Sequence, residues 1–221
     1  MDQRTLVSYL DLAKHHPETS EKEVRDLCQA VKKYGFHSAF VNPCWVKLAR
    51  ESLGASGVVG TVISFPLGQE MKDIKVLSAI EAVNQGANEL DISMNVGLFK
   101  EGKTDLVLAE METIVKAVKT LKKSTLVKFI IETGLLTEEE IKKASQLVLK
   151  SGADFVKTCS GMGPRGASLK DVELIKSMVG GRIKIKVAGG IDTYQEAIDF
   201  INAGVDRIGT SKAIEILEGL K

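Results

Sequence analysis

Two lysines stand in stretches whose other residues are typical of buried β-strands. Lys157 lies in FVKT and Lys186 in KIKVA. An ammonium group is costly to bury, and lysine is rarely fully inside a protein unless a partner accompanies it. Burial and a second positive charge both favour loss of the proton, and a neutral amine can attack a carbonyl carbon to form a Schiff base. The pattern therefore suggests carbonyl chemistry, with solvated lysines at strand ends as the alternative.

The elements that would position these lysines are short β-branched runs alternating with longer amphipathic stretches. Eight runs predict strands, namely VSYLDL (7–12), SAFVN (38–42), VVGTVIS (58–64), ELDIS (89–93), LVKFIIE (126–132), DFVKT (154–158), IKIKVA (183–188) and DRIGT (206–210). Repeated strand–helix units predict a parallel sheet covered by helices. Eight of them favour an α/β fold of the (β/α)8 TIM barrel type over an open sheet. We expect one domain over residues 1–221.

The stretches between the strands carry helix start and stop signals. SEKEVRDLCQAVKKYG begins near Ser20 or Thr19, and TEEEIKKASQLVLKSG has Thr137 as its expected N-cap with Glu140 three residues later. The second stretch ends at Gly152, as helices commonly do. DIKVLSAIEAVNQG and DTYQEAIDFINAG have the same form. Lys157 and Lys186 are about one βαβ repeat apart, so we expect them on neighbouring strands.

Carboxylates also occupy strand positions. In (β/α)8 barrels the reactive residues lie at the C-terminal ends of the strands, where the chain places Asp91 in ELDIS and Asp11 in YLDL. A buried carboxylate needs a partner, and an inward lysine would supply one. Asp91 could also move protons through water. For both aspartates a purely structural ion pair is the alternative.

Glycine turns follow the last two predicted strands, VAGG (187–190) and IGTS (208–211). Glycine lets backbone N–H groups approach an anion, and barrels often bind phosphate at the loops after strands seven and eight. Ser211 could donate a hydrogen bond, and Lys212 could add charge. The loop SGMGPRGAS (160–168) would cover a substrate or simply connect two elements.

Composition narrows the class of protein. The formal net charge of +1 argues against nucleic-acid binding, and no run approaches the length of a membrane span. Three cysteines without a CxxC pair predict no disulfide framework and suggest a reducing compartment, so we expect a cytoplasmic protein. His15, His16 and His37 show no metal-binding spacing and are interpreted as surface or packing residues.

Several motifs together resemble one family. They are YLDLAKHHPETSEKEV, AFVNP, TVISFPLG, ELDISMNVG, KFIIETGLLTEEEI, FVKTCSGMGPRGAS, KVAGGIDTYQEAIDFINAG and DRIGTS. In this order they resemble the deoxyribose-phosphate aldolases, class I aldolases with a (β/α)8 barrel, over nearly the whole chain. The resemblance implies reversible cleavage of 2-deoxy-D-ribose 5-phosphate to D-glyceraldehyde 3-phosphate and acetaldehyde, without a metal or organic cofactor. The implied partners are a small sugar phosphate and further copies of the chain, as a homodimer or homotetramer.

The resemblance also implies residue roles. Lys157 matches the Schiff-base nucleophile and Lys186 the neighbouring amine that depresses its pKa. Asp91 matches the carboxylate of the proton relay, and Asp11 a second carboxylate that supports it. Five residues match positions near the substrate phosphate and sugar: Ser160, Gly189, Gly190, Gly209 and Ser211.

The chain departs from the family pattern at three positions. Some members carry a cysteine implicated in aldehyde inactivation where this chain has Phe40, many have histidine where it has Leu12, and many have a small residue where it has Lys212. The third departure could alter phosphate affinity. Two other functions stay open: a phosphate-binding isomerase or different class I aldolase, and a catalytically silent barrel that senses a sugar phosphate.

Overall fold

Eight parallel strands close into a barrel in the order of the sequence, β1 pairing with both β2 and β8. The computed structural model describes residues 1–220. Within them the strands are β1 (Leu10–Lys14), β2 (Ser38–Val41), β3 (Val59–Ile63), β4 (Glu89–Ser93), β5 (Leu126–Ile130), β6 (Phe155–Lys157), β7 (Lys184–Ala188) and β8 (Arg207–Thr210). The predicted (β/α)8 barrel is confirmed.

Helices surround the barrel. They are α1 (Gln3–Tyr9), α2 (Glu21–Tyr34), α3 (Val46–Leu53), α4 (Lys72–Asn84), α5 (Val96–Lys100), α6 (Thr104–Leu121), α7 (Glu138–Lys150), α8 (Leu169–Val179), α9 (Tyr194–Ala203) and α10 (Ala213–Glu218), with 3-10 turns at Pro43–Trp45 and Thr133–Leu135. Ser20 and Thr137 cap α2 and α7 through capping boxes with Glu23 and Glu140. Among residues 1–220, none of these helices has the length and apolar composition needed to cross a bilayer.

The first predicted strand was wrong at its N-terminal end. Residues 7–9 belong to α1, because the Asp2 side chain accepts a hydrogen bond from the Thr5 N–H and starts a helix there. The strand begins at Leu10 and continues to Lys14. Asp11 therefore lies second in β1, nearer the N-terminal end of the barrel than a strand ending at residue 12 would place it.

Apolar side chains and charged side chains separate onto the two faces of the strands. The outward residues, such as Leu90 and Ile92 in β4 and Ile185 and Val187 in β7, belong to the buried apolar core under the helices. The residues between them point the other way, because successive strand side chains alternate. Those inward positions of β4 and β7 hold Asp91 and Lys186. The fold is thus held by the outer core, which leaves the lumen available for a charged layer.

One aromatic ring occupies part of this lumen and lines the cavity above it. Phe40 in β2 is fully buried and pairs in register with Gly60 of β3. A Cβ atom added at Gly60 would lie 2.2 Å from the Phe40 ring, which is closer than carbon atoms can approach. Glycine at position 60 therefore allows the ring to lie in the lumen beside the Lys128 and Lys186 ammonium groups.

Replacing Gly60 by alanine should destabilise the protein. The added methyl group must displace the Phe40 ring, and such overpacking typically lowers the free energy of unfolding by about 1–3 kcal/mol. Denaturation in urea at pH 7 measures the loss. Gly97→Ala is the control, because its added Cβ would have its nearest neighbour at 3.4 Å. Equal stability of Gly60→Ala and the unsubstituted protein would show that the ring has space to move.

Candidate active site

Asp91 lies at the centre of the charged layer. Its Oδ2 accepts a hydrogen bond from the Lys157 Nζ at 2.8 Å and lies 2.8 Å from the Lys186 Nζ. Its Oδ1 accepts a hydrogen bond from the Lys128 Nζ at 3.0 Å. All four side chains are almost entirely buried. One carboxylate therefore contacts three amines.

Two further acids complete the layer. The Asp11 Oδ2 lies 2.7 Å from the Lys186 Nζ, and its Oδ1 accepts a hydrogen bond from the Ser38 hydroxyl at 2.6 Å. Arg207 adds a longer ion pair to the same Oδ1 at 3.4 Å. On the other side of the layer, the Glu89 Oε2 accepts from the Lys128 Nζ at 2.6 Å.

Strand register explains why these residues meet. Lys157 pairs with Lys186 across β6 and β7, and Asp91 pairs with Lys128 across β4 and β5. Residues opposite each other on adjacent strands project from the same face of the sheet. The structure therefore brings Lys157 and Lys186 together inside the barrel, as the spacing of the two motifs predicts.

A count of charges shows which amine is least supported. The layer holds three acids, Asp11, Glu89 and Asp91, and four bases. The bases are Lys128, Lys157, Lys186 and Arg207. Arginine stays protonated in proteins, so the three carboxylates are one negative charge short of balancing Arg207 and three protonated lysines. Among residues 1–220, two of those lysines contact two carboxylates each, whereas Lys157 contacts only one.

The pKa directions agree with this count. Burial lowers the pKa of Lys157 and the nearby Lys186 charge lowers it further, which outweighs the opposing attraction of Asp91. Burial would raise the pKa of Asp91, but the ammonium groups of Lys128, Lys157 and Lys186 hold it well below its usual range. Asp91 is therefore ionised, and Lys157 is the amine that gives up a proton most readily.

A cavity of about 230 Å³ opens above Lys157 and Lys186 at the C-terminal end of the barrel. All five residues predicted to contact phosphate or sugar line it: Ser160, Gly189, Gly190, Gly209 and Ser211. Asp91 and Asp11 lie below, in the buried layer, and do not line it. The cavity thus places an amine at its floor and small or glycine residues around its wall, an arrangement suited to an elongated polar ligand.

The loop after β6 is braced against its neighbours. The Ser160 N–H donates a hydrogen bond to the Glu132 Oε2 at 3.1 Å, and Arg165 pairs with Asp171 at 2.6 Å. Gly166 packs so closely on the next turn that an added Cβ would lie 2.2 Å from the Gly189 carbonyl oxygen. The β6 and β7 loops therefore form one wall of the cavity.

Aromatic and imidazole rings enclose the amines. The Lys186 Nζ lies 3.5 Å from the centre of the Phe40 ring, a cation–π contact. His15 lines the cavity and packs against Phe65. Burial, followed by the charge of Lys157, lowers the pKa of His15 to about 3, so this imidazole is neutral. The interpretation of His15 as a surface or packing residue was therefore incomplete.

Three residues next to the layer could be considered for metal binding. One ligand atom each from Asp11, His37 and Glu89 lie within 4.8 Å of one another. However, the His37 Nε2 already lies 2.9 Å from the Glu89 Oε1, and Lys128 and Arg207 contact the two carboxylates. These cations would repel a metal ion, so the arrangement is that of an ion-pair network.

Comparison with known proteins agrees with this site. A profile described as DeoC/LacD family aldolase matches residues 1–211. The chain belongs to the DeoC/LacD aldolase family. Two relatives named deoxyribose-phosphate aldolase are similar over nearly their full lengths. The protein of Thermococcus gammatolerans is 42% identical over 219 residues, which is 98% of this chain and 96% of that protein.

The second relative, from Aquifex aeolicus, is 45% identical over 210 residues, or 95% of this chain and 94% of that protein. A solved structure described as a unique tetrameric structure of deoxyribose phosphate aldolase from Aeropyrum pernix has a TM-score of 0.91 at 30% identity. The match covers 99% of this chain and 92% of the other. The resemblance inferred from the sequence motifs is thereby confirmed at the level of the family.

Four members of this aldolase's charged layer were not among the sequence candidates: Ser38, Glu89, Lys128 and Arg207. Glu89 and Arg207 are the first residues of their strands, so a search of C-terminal strand ends misses them. Lys128, in LVKFII, shows the same signal as Lys157, a single lysine within an apolar strand. Lys212 proves to lie outside the cavity, with its ammonium group 3.0 Å from Glu215.

Substitution of Lys157 or Lys186 by methionine should change the free energy of unfolding in opposite directions. The pKa of Lys157 is lowered in the folded state. At pH values between that lowered pKa and the ordinary lysine pKa of about 10.4, the unfolded chain therefore binds more protons than the folded one. As a result, this amine lowers the free energy of unfolding at pH 7. Lys157→Met should therefore raise the free energy of unfolding. Lys186→Met should lower it by about 3–5 kcal/mol, because Asp11 and Asp91 lose a buried partner.

Urea denaturation at pH 7 measures both effects. The unfavourable contribution of Lys157 should also shrink as the pH rises through the window in which only the unfolded state is protonated. Equal destabilisation by the two substitutions would contradict the view that Lys157 is the unsupported amine.

Proposed function

We propose that this aldolase cleaves 2-deoxy-D-ribose 5-phosphate reversibly into D-glyceraldehyde 3-phosphate and acetaldehyde through a Schiff base on Lys157. The observation that carries the proposal is a buried amine with one carboxylate contact at the floor of a cavity, beside a second lysine with two. The substrate is inferred from two relatives named deoxyribose-phosphate aldolase, which are 42% and 45% identical to this chain.

The chemistry begins at the aldehyde carbon, C1 of the open-chain sugar. The neutral Lys157 amine attacks C1, and loss of water leaves a protonated imine. The C3 hydroxyl loses its proton and becomes a carbonyl group as the C2–C3 bond breaks. The electron pair of that bond forms a C1=C2 double bond while the C=N pair returns to nitrogen, which gives a neutral enamine. D-Glyceraldehyde 3-phosphate departs. Protonation of the enamine at C2 and hydrolysis then release acetaldehyde and restore the amine.

Asp91 and Lys186 are proposed to handle the protons of these steps. The Asp91 Oδ2 hydrogen-bonds the Lys157 Nζ and lies as close to the Lys186 Nζ. A proton released at the reacting nitrogen can therefore pass to this carboxylate and return through the lysine or a water molecule in the cavity. Asp11 holds Lys186 in place from below at 2.7 Å.

The phosphate group is proposed to bind at the wall of the cavity formed by the loops after β6, β7 and β8, away from the amines at the floor. Gly189, Gly190 and Gly209 leave the backbone accessible, and the Ser160 and Ser211 side chains border the same space. Backbone N–H groups and hydroxyl groups are suitable donors to phosphate oxygens. With the phosphate at this wall, the sugar chain extends to the amines at the floor.

Copies of the chain are proposed to assemble into a homodimer or homotetramer in the cytoplasm. The relative from Aeropyrum pernix is described as tetrameric. Several large apolar side chains are exposed on this chain, among them Leu67, Met71, Leu77 and Leu106, and an interface between copies that covers them would remove apolar area from water. The free cysteines Cys28, Cys44 and Cys159 are compatible with a reducing compartment.

Reductive trapping tests the Schiff base. Borohydride added with acetaldehyde should attach a two-carbon group irreversibly to Lys157, located by peptide mass mapping, because reduction captures the imine. Lys157→Met should lose turnover and the adduct while staying folded. An adduct on another lysine, or none, would reject the mechanism.

The same assays separate the alternative functions. A silent sugar-phosphate sensor would be thermally stabilised by 2-deoxyribose 5-phosphate without turnover, whereas an isomerase or an aldolase of another specificity would prefer a different member of a panel of phosphorylated sugars.

Ser211→Ala tests the phosphate site. Loss of one hydrogen bond to a charged group should raise KM for 2-deoxyribose 5-phosphate about tenfold and leave kcat/KM for unphosphorylated 2-deoxyribose unchanged. Lys212→Ala is the matched control, because the Lys212 ammonium pairs with Glu215 outside the cavity, and its KM should stay as in the unsubstituted enzyme. A tenfold rise for both sugars with Ser211→Ala would show that Ser211 does not contact phosphate.

A further inference from the structure

Lys128 is the third lysine of the charged layer, and it has no access to substrate. Its side chain is fully buried below the cavity and is not among the cavity's lining residues. It donates hydrogen bonds to the Glu89 Oε2 at 2.6 Å and the Asp91 Oδ1 at 3.0 Å. The Phe40 ring lies beside it, with its centre 4.7 Å from the Nζ. A direct role in bond making is therefore excluded by position.

We propose that Lys128 is a positioning residue that keeps Lys157 reactive by occupying the far oxygen of Asp91. The proposal deepens the proposed function, on which it rests. The two oxygens of Asp91 have different partners: Oδ1 contacts Lys128, and Oδ2 contacts Lys157 and Lys186. Lys128 thus neutralises part of the negative charge that would otherwise hold a proton on Lys157.

The charge of Lys128 is held constant by its surroundings. Burial alone would lower its pKa, but Asp91, Glu89 and Asp11 together raise it above the ordinary value. Lys128 therefore remains an ammonium group throughout the pH range in which Lys157 changes its protonation. A constant positive charge on Lys128 is required if it is to offset the negative charge of Asp91 at every pH at which Lys157 titrates.

Charged and titratable groups face the two lysines from several strands. Those around Lys128 are Glu89 and Asp91 of β4 and Asp11 of β1. Those around Lys157 are Asp91 of β4, Lys186 of β7, Cys159 of the β6 loop and His15 of the β1 loop. His37 contacts Glu89 at the outer end of the network.

The charge count gives opposite expectations for two substitutions. Lys128→Met removes one positive charge, so the layer is balanced with Lys157 protonated, and the acid limb of kcat/KM should move up by about one pH unit. Glu89→Gln removes one negative charge, and the acid limb should move down. The double variant Lys128→Met/Glu89→Gln restores the balance and should return the limb to its original position.

Two measurements are made on each variant across pH. One is kcat/KM for 2-deoxyribose 5-phosphate. The other is the rate at which acetaldehyde and cyanoborohydride label Lys157, read by peptide mass, which reports the neutral amine without requiring C–C cleavage. The labelling rate should follow the same shifts as kcat/KM.

Lys75→Met is the matched control. Lys75 is also fully buried and pairs with an acid, Glu110, at 2.6 Å, but it lies in α4 outside the barrel lumen. Its replacement removes the lysine partner of a buried carboxylate, as Lys128→Met does, and so reproduces a general loss of stability. The pH profile of Lys75→Met should remain that of the unsubstituted enzyme.

Unshifted profiles for Lys128→Met and Glu89→Gln, with Lys157 labelled in the unsubstituted enzyme, would overturn the role of Lys128 alone. No label on Lys157 in the unsubstituted enzyme would overturn the proposed function instead. If Lys128→Met does not fold, the pH profiles of Glu89→Gln and of the double variant still test the role of Lys128. The proposal is supported if the acid limb moves down in Glu89→Gln and returns to its original position when Lys128→Met is added. Identical profiles for Glu89→Gln and the double variant reject it.

Discussion

The carboxylate of Asp91, shared among three buried amines, is the interaction on which the rest of the site depends. Two oxygen atoms cannot satisfy the charges of Lys128, Lys157 and Lys186 equally. Lys128 and Lys186 each contact a second acid, whereas Lys157 contacts no second acid in the part of the chain that the structure describes. Burial strengthens each of these interactions because the local dielectric constant is low. The amine that gives up its proton most readily is therefore selected by a shortage of negative charge at its position.

The barrel makes this arrangement possible because the residues that stabilise the fold lie outside the strands and the charged residues lie inside them. Barrel interiors are commonly filled with branched apolar side chains, whereas this lumen holds a layer of ion pairs beside the Phe40 ring. Buried ion pairs contribute little net stability because desolvation offsets their attraction. The apolar core between the strands and the helices supplies the stability instead. Strand register then places the charged groups within hydrogen-bonding distance of one another.

Local patterns were sufficient for the strands, the closed barrel and the meeting of Lys157 with Lys186, since each depends on periodicity and chain order. They were insufficient for the lower half of the charged layer. Glu89 stands at a strand start, away from the strand ends that the search covered. Lys128 shows the same pattern as Lys157, but only the closed barrel places its ammonium group against Glu89 and Asp91. The true start of β1 depended on a cap by Asp2, a local hydrogen bond that the β-branched run around Val7 obscured.

Titration of the Lys157 side chain tests the central claim most directly. Lysines labelled with 13C at Cε can be followed by NMR from neutral to alkaline pH, and the Lys157 signal is assigned by its absence from Lys157→Met. The shortage of negative charge predicts that Lys157 loses its proton well below the ordinary lysine value of about 10.4, while the Lys128 signal shows no deprotonation over that range. A Lys157 signal that remains that of an ammonium group up to about pH 10.4 would contradict the account.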